Sequence, residues 1–174
     1  MDRHPGGEQH SRDLIELLDL PAGAYVLDMG AGAGETVARL REAGFDARGI
    51  DLQPRGDAVA CGDFLNCPYP DGVFNGIISQ CAFFVSGDAE KAMKEAHRLL
   101  KMGGKLALSD VYPVEEPLEK LARKAGFRVL RSEDMTESWK QYYFQLRWRG
   151  EIPKLDADRK FGYMLILCEK TKIL

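Results

Sequence analysis

The sequence predicts an α/β protein, a mainly parallel sheet with helices on both faces. Three observations carry that expectation. Short β-like runs alternate with segments of helical period along the chain. The connections between successive strands are too long for hairpins and long enough for helical crossovers. One run, Gly76–Val85, is nearly all apolar, as a strand buried on both faces of a parallel sheet must be. The 174 residues are expected to form a single domain, 1–174, with one core.

A helix over Ser11–Leu20, with Leu14, Leu17 and Leu18 as its stripe, follows the polar opening segment His4-Pro-Gly-Gly7. Tyr25–Gly30 is the first strand, and Gly34–Ala43 a helix with Val37, Ala38 and Leu40 inward and Gly44 placed as its C-terminal glycine. Ala47–Leu52 is the next strand, Asp57–Cys61 a weaker third, and Gly76–Val85 the fourth. Asp88–Lys101 is an amphipathic helix, because Ala89, Ala92, Met93, Ala96 and Leu100 recur at helical spacing. Its His97 reads as a surface or helix-packing residue. Lys105–Asp110 returns to strand, and Pro117 opens a helix with Leu118, Leu121, Ala122 and Ala125. Phe127–Arg131 and Phe161–Glu169 are the last strands, with a helix over Met135–Gly150 between them.

Composition excludes several classes. Lys and Arg total 24 against 27 Asp and Glu, giving a net charge of −3, which argues against a surface that wraps nucleic acid. The longest apolar runs fall well short of the ~20 residues that cross a bilayer, so no membrane role is expected. The polar N-terminus has no apolar signal core, and the four cysteines form no CxxC pair. A cytoplasmic protein with reduced thiols and no metal site is the expectation. Convergence of Cys61, Cys67 and Cys81 on a soft metalloid acceptor is the alternative, although their separations match no standard metal spacing.

The strongest local signal is Val26-Leu-Asp-Met-Gly-Ala-Gly-Ala-Gly34, a strand running into a glycine loop and a helix. Gly30, Gly32 and Gly34 let the backbone turn tightly and approach a ligand. The dinucleotide pattern GxGxxG requires glycine at position 35, where this chain has glutamate. A carboxylate there occupies the helix N-terminus that would otherwise draw a pyrophosphate, and Asp28 adds a second negative charge. The loop therefore suits a cationic or zwitterionic nucleoside ligand without phosphate, a description that S-adenosylmethionine meets. Asp51 ends the second strand about 20 residues after Gly30, where a carboxylate accepts hydrogen bonds from ribose hydroxyls. Leu52 is placed to pack on an adenine face. Asp63 reads either as a turn residue after Gly62 or as the acceptor for an adenine amino group.

These residues resemble the class I S-adenosylmethionine-dependent methyltransferases, in particular the small single-domain "type 11" group. The resemblance rests on VLDMGAGAGET, GIDL, GDFLNCPYPDGVFNGIIS and AMKEAHRLLKMGGKLALSD, in the family's order over residues 24–112. Met102 stands where the family usually has proline. The resemblance implies a three-layer Rossmann-like fold, with a mostly parallel seven-stranded sheet and an antiparallel last strand. It implies that Asp28, Gly30, Ala31, Gly32 and Gly34 face the methionine moiety and Asp51 and Leu52 the ribose and adenine. Asp63 and Phe64 would hold the adenine, and Gln80 the amino-acid portion. It further implies that residues 1–20 cover the donor and that insertions within 113–160 shape the acceptor side. The product would be S-adenosylhomocysteine.

Methyl transfer from a sulfonium is an in-line displacement with a good leaving group, so alignment and water exclusion matter most. The Asn/Asp-Pro-Pro-Tyr signature of amino-directed methyltransferases is absent; the fourth strand ends Ser79-Gln-Cys-Ala-Phe-Phe84. Candidate groups near the acceptor are His4, His10, Cys81, Phe84 and Tyr112, of which His10, Cys81 and Tyr112 are the catalytic candidates. On the helix over Met135–Gly150, Trp139, Tyr142, Tyr143 and Leu146 form one face, whereas Phe144 and Trp148 lie roughly opposite. That second face calls for a cover, either acceptor beneath a lid or a second copy of the chain, with Arg147 and Arg149 placed to attract an anionic group. The expected activity is methyl transfer to a small molecule. An adenosylmethionine-binding or partner-binding domain without turnover is the alternative, and a nucleotide-cofactor oxidoreductase a distant third.

Overall fold

The computed structural model describes residues 5–148 and 160–171. Twelve elements follow in chain order: α1 (Gly7–Leu18), β1 (Tyr25–Met29), α2 (Glu35–Glu42), β2 (Asp46–Asp51), β3 (Val59–Cys61), β4 (Phe74–Gln80), α3 (Ala89–Leu99), β5 (Leu100–Pro113), α4 (Leu118–Lys124), β6 (Phe127–Asp134), α5 (Thr136–Trp148) and β7 (Phe161–Lys170). One seven-stranded sheet holds every described strand in the order β3-β2-β1-β4-β5-β7-β6. β1 pairs in parallel with β2 and β4, and β4 with β5. β7 runs antiparallel between β5 and β6. The implied antiparallel last strand and the three-layer α/β architecture are therefore present.

Alternation along β7 shows how one strand serves both layers. Met164, Ile166 and Cys168 join the core under α3 and α4, with Met93, Leu99, Leu118 and Phe127. Leu165 and Leu167 join the core under α1 and α2, with Leu14, Leu18, Val37 and Leu40. Both faces are covered, so the central strands are apolar throughout. α3 starts where Asp88 accepts a hydrogen bond from the N–H of Lys91 at 2.9 Å, satisfying one orphan donor of the first turn. His97 packs its ring edge-on against Phe127 at 5.1 Å, as a helix-packing residue should.

The strand expected over Gly76–Val85 ends earlier, at Gln80. Cys81 has a φ of 55°, and residues 82–87 fold into turns closed by Ser86 N–H to Ala82 and Gly87 N–H to Phe84. An unbroken apolar run hides such a boundary because its turn residues are as apolar as the strand. β5 and β6 run longer than expected, β6 with a register shift between Val129 and Arg131. On α5, Trp139 is buried, Tyr142, Tyr143 and Leu146 are half-buried, and Phe144 is exposed with Trp148 93% exposed, so the two opposed faces are real. His4 and Arg149 lie outside the described residues. Among the described residues no helix is long and apolar enough to cross a membrane.

Candidate active site

The carboxyl ends of β1, β2 and β4 open onto a cavity of about 530 Å³. Its floor is the glycine loop. The N–H groups of Gly30 and Ala31 both donate to the carbonyl of Ile50, at 2.9 and 3.1 Å, which ties the loop to β2. A Cβ on Gly30 would lie 2.3 Å from that of Ala82, so the approach of the β4–α3 loop requires glycine here. Asp51 accepts from the N–H of Gly32 at 2.9 Å on one oxygen and from that of Gln53 at 2.8 Å on the other. Each oxygen keeps a lone pair for a ligand hydroxyl. Asp63 lines the cavity and also accepts from the N–H of Leu65 at 2.8 Å. Leu52 and Val85 line the cavity while 64% and 79% exposed, two apolar side chains that a bound ligand would cover. Phe64 lies in the same wall and stacks on Phe83 at 5.9 Å.

Gln80 is 5% exposed and lines the cavity. Its Oε1 accepts from the hydroxyls of Ser11 in α1, at 3.1 Å, and Thr36 in α2, at 3.2 Å. Its Nε2 has no hydrogen-bond partner among the described residues. Two helices thus orient an amide whose donor half waits for an acceptor. Arg39 and Arg55 also line the cavity, Arg39 with Glu8 of α1 at 3.7 Å and Arg55 directly over Gly32. Ser11, Thr36, Arg39 and Arg55 escaped the sequence reading. Ser11 and Thr36 carry a recoverable signal, as hydroxyls on the inward faces of amphipathic helices; the arginines carry none.

The remaining expected residues lie elsewhere. Asp28 is buried without lining the cavity, and burial together with the charge of Asp51 pushes its carboxyl up to about 7. Gly34, with φ 85°, is the residue from which α2 starts and packs over Val59 rather than against the cavity. Cys81 lines the cavity, its Sγ 3.4 Å from the Tyr163 hydroxyl, and burial pushes its thiol up to about 12. It is a thiol at neutral pH, not a thiolate. Cys61, Cys67 and Cys81 make three unrelated contacts, to Leu52, Phe64 and Tyr163, and no group of three His, Cys, Asp or Glu among the described residues suits a metal. Phe84 sits edge-on to Phe161 at 5.5 Å, and Tyr112 closes over Gly162; neither lines the cavity. His10 turns to the other side of α1, and Phe144 and Trp148 point to solvent.

One further acid organises the cavity. Asp110, buried at the end of β5, accepts from the N–H groups of Phe83 at 2.8 Å, Phe84 at 3.2 Å and Val111 at 2.7 Å. It holds in place the loop that supplies Ala82, Val85 and Ser86 to the cavity wall. Burial pushes its carboxyl up to about 7 against the opposing pull of those donors.

A family model described as a methyltransferase domain matches residues 27–108, which span the glycine loop, both acidic strand ends and β4. The chain is 32% identical over 115 residues to the arsenite methyltransferase of Aquipseudomonas alcaligenes, covering 52% of this chain and 33% of that protein. It is 29% identical over 183 residues to the 18S rRNA (guanine-N(7))-methyltransferase of Schizosaccharomyces pombe, covering 86% and 68%. The chain spans from a third to about two thirds of the length of the curated relatives it matches. Among solved structures, phosphoethanolamine N-methyltransferase 2 of Haemonchus contortus, in complex with S-adenosyl-L-methionine, superposes with a TM-score of 0.77 at 18% identity, over 97% of this chain and 54% of that one. Over residues 27–108, just under half of the chain, the sequence matches the methyltransferase-domain family, and the fold is that of the class I S-adenosylmethionine-dependent methyltransferases. Its relatives act on acceptors as different as arsenite and ribosomal RNA.

Proposed function

We propose that the chain transfers a methyl group from S-adenosylmethionine to a nucleophilic atom of a small molecule and releases S-adenosylhomocysteine. The observation that carries the reading is the half-satisfied Gln80 amide, set in the glycine-loop cavity opposite Asp51. The residues fit the donor. Nε2 of Gln80 is a buried donor that a carboxylate would complete, Asp51 has lone pairs for ribose hydroxyls, and Leu52, Asp63 and Phe64 offer an apolar wall with one acceptor for adenine. The bound donor supplies an electrophilic methyl on a good leaving group. The chain orients it and excludes water, and a base is needed only when the nucleophile arrives protonated and weakly acidic. A small acceptor is favoured by the net charge of −3 and by a cavity of ordinary ligand size.

One observation favours a domain that binds the donor without turnover: of His10, Cys81 and Tyr112, only Cys81 lines the cavity, and burial keeps it protonated. Calorimetric titration with S-adenosylmethionine, S-adenosylhomocysteine and NAD tests the donor. Both adenosyl ligands should bind and NAD should not. Asp51→Ala should weaken binding at least ~tenfold, since a hydrogen bond to a charged acceptor is worth ~1.5–3 kcal/mol. Tight NAD binding without adenosyl binding overturns the reading. Donor binding with no methylated product across a broad acceptor screen favours the binding domain.

A further inference from the structure

α1 divides two hollows. Gly7, Glu8 and Ser11 face the donor cavity, whereas His10, Asp13 and Glu16 face a separate cleft of about 380 Å³ whose far wall is Arg131 and Glu133 of β6. Leu165 of β7 gives the cleft an apolar lining. Three carboxylates meet one guanidinium there. Arg131 is paired with Glu133 at 2.9 Å and Asp13 accepts from Gln9 at 2.8 Å, so the α1 side of the cleft keeps unspent negative charge. At its inner end His10 is 4% exposed, and its Nε2 has no hydrogen-bond partner among the described residues. A buried nitrogen left bare is costly, at His10 as at Gln80 and His97, and at His10 a cleft adjoins it. Burial holds the imidazole below its ordinary range despite the nearby Asp13 and Glu133, so it is neutral at pH 7. With the proton on Nδ1, Nε2 is an acceptor. No three His, Cys, Asp or Glu side chains among the described residues are grouped to ligate a metal, so the cleft suits an organic rather than an inorganic cation.

We propose that this cleft binds a protonated primary or secondary amine, whose N–H donates to Nε2 of His10 and whose charge faces Asp13 and Glu16. The alkyl part lies along Leu165. Because α1 stands between this cleft and the donor cavity, the cleft is an amine site separate from methyl transfer.

The test follows the imidazole resonances of ¹⁵N-histidine-labelled protein during titration with propylammonium, using tetramethylammonium as a cation of equal charge without N–H. His10 should shift saturably with propylammonium, and tetramethylammonium should bind about tenfold more weakly. The surface pair Asp13→Asn with Glu16→Gln should cost propylammonium about tenfold in affinity. Absence of a saturable His10 shift, or unchanged binding in the double variant, overturns the proposal. With donor present, propylamine bound in the cleft should remain unmethylated by mass spectrometry, and its methylation would overturn a site separate from methyl transfer. Calorimetry with S-adenosylhomocysteine is scored independently, so loss of the donor reading and loss of the amine site are distinguishable.

Discussion

A buried amide with its oxygen satisfied and its nitrogen bare carries an open cost until something accepts its protons. At Gln80 the two hydroxyls that satisfy the oxygen come from helices on either side, so the side chain cannot swing to cure the deficit itself. Gln80→Glu keeps the shape and the two hydroxyl bonds but replaces the donor with an acceptor. It should weaken S-adenosylhomocysteine at least ~tenfold by calorimetry if a ligand carboxylate is the partner. Tighter binding would mean that the ligand's ammonium lies there instead. The glycine pattern and the carboxylates at strand ends made most of this cavity legible, since Gly30, Ala31, Gly32, Asp51, Leu52, Asp63, Phe64, Gln80 and Cys81 all line it. Asp28 is buried beside this cavity without lining it, since a strand-end acid can point behind a loop as readily as into it.

Among the elements, the β4–α3 connection depends on a neighbour remote in sequence. Asp110→Ala leaves the N–H groups of Phe83, Phe84 and Val111 without their acceptor and should cost ~2–4 kcal/mol by urea unfolding. Donor affinity should fall with it, because Ala82, Val85 and Ser86 lose their anchor; Asp110→Asn should restore part of both. An unchanged donor affinity in the alanine variant would show that the loop holds itself. On α5, Phe144→Ala with Trp148→Ala separates the two covers for that face. Normal donor binding with lost turnover indicates an acceptor lid, and a reduced sedimentation mass indicates a second copy; no change in either means the aromatic face has neither role. Helical and strand periods located nearly every element within a few residues, because amphipathic faces must match the layer they cover. The end of β4 was illegible for the opposite reason, since Cys81, Ala82, Phe83 and Phe84 are apolar yet lie in the turn. Asp110 was invisible because its partners are backbone groups 26 and 27 residues away.

For the whole molecule, two interior carboxyls set a dependence on pH. Asp28 and Asp110 are both raised to about 7, so between about pH 4 and 7 the folded chain retains protons that the unfolded chain has released. Their contribution to stability is complete below the unfolded value and is lost as pH rises through the folded one. Asp28→Asn should therefore flatten the decline in urea midpoint between about pH 4 and 7, whereas parallel curves would show that Asp28 does not titrate in this window. The sheet order has another consequence, in the time domain. β6 joins the sheet through β7, and β7 is the last of the described strands to leave the ribosome. Until then the nascent chain carries β5 as an open apolar edge and β6 with no partner, a template for pairing with other chains. Insertion of a ten-residue strand between two neighbours already synthesised is the long-range pairing this topology imposes, and the interval before that insertion is when a chaperone has most to protect.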